Sequence, residues 1–186
     1  MTNTAASSPR DAADVLDHVE SLQRQTRSLL HAFWFPLVVF GALTLASAVV
    51  QWVWAGPAVG VYWAVAGLAG GAMVGLYYRS RELRLGLSTP ATPYVLTAAG
   101  MMVGAFLLPA ITSGDLQQVA STFAVAAAYL VFAWLDRSRT LAGLAAVMAV
   151  VPVLVLVSGV DHPGAVNAAG VGAVTLVAGL ASRRSA

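Results

Sequence analysis

Six apolar runs follow one another along the chain, over about 32–54, 57–78, 93–111, 116–135, 140–158 and 163–182. None carries a charged side chain in its interior. Each approaches the ~20 residues that cross a bilayer as a helix. The runs lack the polar alternation of a barrel strand in lipid. Their ends carry helix signals. Gly56-Pro57 stops one helix and starts another, and Thr92-Pro93 reads as a cap and first helical residue. Asp115 with Gln118 reads as a capping box, and Ser158-Gly159 as a helix stop. Pro152 falls mid-run in the fifth helix and predicts a kink there, freeing the carbonyl of Met148.

The polar positions divide the rest of the chain. Residues 1–31 form a polar tail, within which 11–31 predict an amphipathic helix outside the bilayer core. Val15, Val19, Leu22, Thr26, Leu29 and Leu30 share one face, with Asp17, Glu20, Arg24 and Arg27 opposite. Residues 32–182 form the six-helix domain and 183–186 a short tail. The fold class is therefore all-α: a polytopic integral membrane protein with six transmembrane helices behind an amphipathic N-terminal helix.

Composition strengthens that reading. The chain is 59% apolar and 10% charged, against about 25% charged residues in soluble domains. A 186-residue chain leaves too little polar sequence to cover six apolar helices in water. All 10 basic residues are arginine and fall in alternate loops. Arg79, Arg81 and Arg84 follow the second run, Arg137 and Arg139 the fourth, and Arg183 and Arg184 the sixth. These are topology anchors: basic residues in short loops stay cytoplasmic, which puts both termini in the cytoplasm. Use of arginine without lysine fits a high-GC bacterial genome, and so a bacterial inner or plasma membrane. The arginines are too few and too scattered for a nucleic-acid surface.

Small residues mark candidate helix-packing faces: Gly60, Ala64, Gly67, Gly71 and Gly75 in the second run, Gly100 and Gly104 in the third, and Gly164, Ala168 and Gly172 in the sixth. With membrane lipids around it, the chain is expected to meet a membrane-protein partner or a second copy through these faces or through the N-terminal helix.

Candidate chemistry is sparse. The absence of cysteine excludes disulfides and thiolate catalysis. No nucleophile, phosphate-loop or zinc-protease motif occurs. No catalytic residue, cofactor or metal is expected. Asp115, Asp161, His162 and Asn167 are a candidate polar cluster at the arginine-free end. The 136–139 turn is tight and leaves little room for a ligand. The expected function is non-enzymatic: an accessory, immunity or sensory component acting with a partner membrane protein. The alternative is a small transporter or channel for a neutral or apolar solute. A third reading is a lipid-headgroup enzyme using Asp136, Arg137 and Arg139.

Overall fold

The computed structural model describes residues 33–54, 56–85 and 92–184. They form six helices: α1 Trp34–Val53, α2 Pro57–Leu85, α3 Thr92–Ile111, α4 Gly114–Asp136, α5 Arg139–Ser158 and α6 Pro163–Arg184. All six are long and apolar enough to cross a membrane. The backbone must satisfy its own polar groups in lipid, and a helix does so within one segment. The chain is a multi-pass, all-α membrane protein. The amphipathic helix expected over 11–31 lies outside the described residues.

Two helix ends differ from the expected ones. Helix α2 continues past Tyr78 through the arginines to Leu85. No Gly or Pro interrupts 79–85, and Arg84 in the last turn complements the helix dipole. The capping box at Asp115 does not form. Ser113 takes the cap position and Asp115 falls in the first turn. The Gln118 carboxamide instead accepts from the Gly164 amide of α6, at 3.3 Å.

The turn between α4 and α5 is built from backbone bonds. The Ser138 amide donates to the Ala133 carbonyl (3.0 Å) and that of Arg137 to Trp134 (3.4 Å), a Schellman closure. Arg137 adopts the left-handed conformation this closure needs, at φ 52°. Ser138 then caps α5, its hydroxyl accepting from the Leu141 amide at 3.4 Å. Gly159 ends α5 at φ 62°, where a glycine has no side chain to strain.

The first and last helices make the most extensive contact in the bundle. Their backbones touch. A Cβ built on Gly41 would lie 2.7 Å from the Leu176 amide nitrogen, and one on Gly172 2.7 Å from that of Leu45. One on Gly179 would lie 2.9 Å from the Leu37 Cβ. Helix α6 also meets α4 and α5, which pack on each other. The core lies here, in Leu37, Ala126, Tyr129, Leu141, Leu144, Ala145, Met148 and Val171. Pro152 is buried inside α5.

The other two helices hang on this centre. Among the described residues the α2 backbone approaches only α1, and the α3 backbone only α4. Among the described residues α3 buries none of its own. Tyr62 fastens α2 by donating to the Leu43 carbonyl at 2.7 Å.

The same substitution should act in opposite directions at two glycines of α5. Gly159→Ala forces a side chain into the left-handed region and should cost about 1–2 kcal/mol. Gly143 is exposed, with nothing within 4 Å of a built Cβ. Gly143→Ala should stabilise by up to about 1 kcal/mol. Thermal unfolding in one detergent reads both, and shifts of equal sign would contradict these geometries.

Candidate functional site

At the arginine-free end, α4, α6 and α1 bring neutral polar groups together. Gln118 and Thr122 lie one turn apart on α4, as do Gly164 and Asn167 on α6. The Asn167 side-chain amide donates to the Thr122 hydroxyl oxygen at 2.7 Å. Gly164 sits between the side chains of Gln51 and Gln118, and a Cβ there would displace the Gln51 carboxamide. Asn167 is buried, and its Oδ1 has no hydrogen-bond partner among the described residues. Such an atom costs about 1–3 kcal/mol unless water or another donor reaches it.

The residues singled out at this end part company. Asn167 lies in the buried cluster, whereas Asp115, Asp161 and His162 are all exposed. His162 rests against Trp52, with ring centroids 4.8 Å apart. Among the described residues no three His, Cys, Asp or Glu side chains converge on a metal position. The partners Asn167 does find, Thr122 and through its helix Gln118, are neutral. Their spacing of four on α4 was the available signal.

The arginine-bearing end is aromatic. Phe35 stacks on Tyr77 with centroids 4.2 Å apart, tying α1 to α2. The Arg183 guanidinium lies 5.4 Å from the Trp34 ring centroid, tying α6 to α1. The Tyr94 hydroxyl donates to Asp136 Oδ1 at 2.6 Å, tying α3 to α4. Arg81 is half-buried and donates to the Tyr77 hydroxyl at 3.2 Å. Arg79, Arg84, Arg137, Arg139, Arg183 and Arg184 are exposed.

A groove of about 320 Å³ opens at this end between α4 and α5, lined by Leu130, Ala133, Trp134, Arg137, Ser138, Arg139 and Ala142. The 136–139 turn was expected to leave little room for a ligand. The turn itself is tight, but the space lies beside it, where Ala133 and Ala142 keep the facing helices from filling the gap. Asp136 is not part of the lining. It is engaged with Tyr94, so the acid and the two arginines of the headgroup-enzyme reading do not share one cleft.

The small residues serve unequally. Gly164, Ala168 and Gly172 are buried in the α6 contacts, and a Cβ on Gly104 would lie 3.0 Å from that of Ala124. A Cβ on Gly60, Gly71, Gly75 or Gly100 would meet nothing within 4 Å. Ala64 is exposed, and Gly67 is covered by Trp63 of its own helix. The contact of α2 with α1 runs instead through Gly70, against Leu43, Phe40 and Val39. Neither Gly70 nor Gly41 belonged to an expected stripe.

Comparison with known proteins returned no matching family model, no matching curated protein and no matching solved structure. The class is accordingly the one that architecture defines, a six-helix integral membrane protein.

A double-mutant cycle of Asn167→Ala and Thr122→Ala, read by unfolding in detergent, should give a coupling of about 0.5–1.5 kcal/mol. Strict additivity would contradict a direct bond between these side chains.

Proposed function

We propose that the chain is an accessory subunit of a bacterial inner membrane, working against another membrane protein through the outer faces of α2 and α3. One observation carries this reading. Gly60, Ala64, Gly71 and Gly75 leave one face of α2 open to close approach, with no partner among the described residues of the bundle. Lipid supplies no hydrophobic drive between helices, so a small-residue face is useful mainly where another backbone can come near. Helix α3 likewise buries no residue among those described. The positive-inside pattern orients the arginine-bearing end to the cytoplasm, with both termini there.

The transport alternative has less support. Near mid-helix, Met148, Pro152 and Val155 of α5 are buried, and the Thr175 hydroxyl bonds its own helix at the Val171 carbonyl, 2.7 Å away. Polar groups at that depth are engaged locally rather than turned to a path.

A photo-crosslinking residue at Leu68, which is 63% exposed beside this stripe, tests the proposal in native membranes. The expected product is an adduct with a different polypeptide, absent when the probe sits at Leu154 of α5, equally exposed at 63%. Gly71→Leu should reduce the adduct about tenfold without lowering the thermal stability of the isolated chain. In the same membranes, Ser80→Cys should be shielded from an impermeant maleimide and Ser113→Cys labelled. Lipid adducts alone, or adducts only with a second copy, would overturn the accessory reading. Reversed labelling would overturn the orientation.

A further inference from the structure

We infer that the groove between α4 and α5 holds an anionic glycerophospholipid, its phosphate on Arg137 and Arg139 and one acyl chain along Leu130, Ala133 and Ala142. Three independent features of the groove support this occupant.

The first is charge. Two guanidinium groups belong to the lining and no carboxylate does. Arginine presents planar, paired donors that match phosphate oxygens. A zwitterionic headgroup would bring an ammonium for which the groove offers no acid, so the lining favours a lipid with net negative charge. The groove also sits at the start of α5. Ser138 satisfies the amides of Leu141, through its hydroxyl, and of Ala142, through its carbonyl at 3.1 Å. The amides of Arg139 and Thr140 precede both and face the end of the helix, where an anion is favoured.

The second is shape and depth. The groove is shallow and open to its surroundings, with a volume of about 320 Å³, which suits a lipid laid along it from the bilayer rather than an enclosed solute. It runs from the last residues of one spanning helix to the first of the next, the level at which headgroups lie. Below the arginines its walls are apolar. Trp134, 78% exposed, forms one edge, as an indole does at a membrane interface.

The third is backbone strain. Arg137 is the one non-glycine residue at positive φ among the described residues. A glycine would serve the helix closure there with less strain. Orientation alone does not require an arginine at this position, because Arg139 lies two residues on. A side chain held in an unfavourable conformation at the mouth of a groove points to a use for that side chain.

The strain also supplies a clean test. Arg137→Gly removes the charge while relieving the backbone, so the fold should survive or gain stability. The full chain is reconstituted in nanodiscs of phosphatidylglycerol and phosphatidylcholine in equal parts, released in mild detergent, and examined by native mass spectrometry. The expected result is one retained phosphatidylglycerol per chain. Retention should fall at least tenfold in Arg137→Gly/Arg139→Gln with an unchanged or raised melting temperature. It should stay within twofold in Arg183→Gln/Arg184→Gln, which removes two arginines outside the groove. Ala142→Leu, which fills the groove and keeps both charges, should also release the lipid. Equal retention of both lipids, retention that survives the Arg137/Arg139 variant, or equal loss in the Arg183/Arg184 variant would each overturn the site.

Discussion

The rest of the bundle depends on one close approach, that of the α1 and α6 backbones at Gly41, Gly172 and Gly179. In lipid two helices gain nothing by hiding apolar side chains from water, so dispersion contacts at short range must hold them. Glycine allows that range. The contact joins the first spanning helix to the last and so ties together the ends of the membrane domain. Helix α6 then carries α4 and α5 on its other sides, and the buried cluster around Ala145 and Met148 forms where they meet. Helices α2 and α3 follow as attachments to α1 and α4, and they are left with broad faces toward the surroundings.

The polar contacts between helices lie toward the two ends and are used differently at each. One end is neutral: Gln118 and Thr122 of α4 join Gly164 and Asn167 of α6 by hydrogen bonds, and Gln51 of α1 lies against Gly164. The other is aromatic and cationic, with rings clamping helix ends and arginines left exposed at the rim. At this second end the Tyr94 hydroxyl engages Asp136, which is not part of the groove lined by Arg137 and Arg139. The lining of that groove carries two arginines and no carboxylate, the charge balance on which the lipid proposal rests.

Much of the fold was legible in the sequence because the bilayer imposes so few solutions. Run length and the absence of interior charge gave the six helices, and Gly159 and Pro163 marked their ends. The arrangement of those helices was less legible. Gly41 stands alone in α1, with no stripe to announce it, yet it makes one of the closest contacts of the bundle. Gly60, Gly71 and Gly75 of the regular α2 stripe meet no partner among the described residues, because spacing on one helix says nothing about which helix arrives. The polar cluster was legible only at Asn167. Adjacent charges at Asp161 and His162 drew attention, but groups next to each other on a chain end point different ways and stay in solvent. The groove was hidden for a similar reason. Turn length limits the loop, whereas the space depends on the small residues that face each other across two helices.

Replacing glycines by leucine one at a time, and measuring the thermal stability of the purified chain, probes this division of roles most directly. One set comprises Gly41, Gly172 and Gly179, which face a neighbouring backbone, and the other Gly60, Gly71 and Gly75, which face open space. The first set should lose stability sharply, by about 1–3 kcal/mol or more for each overpacked site. The second should match or exceed the parent chain, since leucine is the better helix former. Equal losses in both sets would contradict the α1–α6 pair as the foundation of the fold and the α2 face as its free surface.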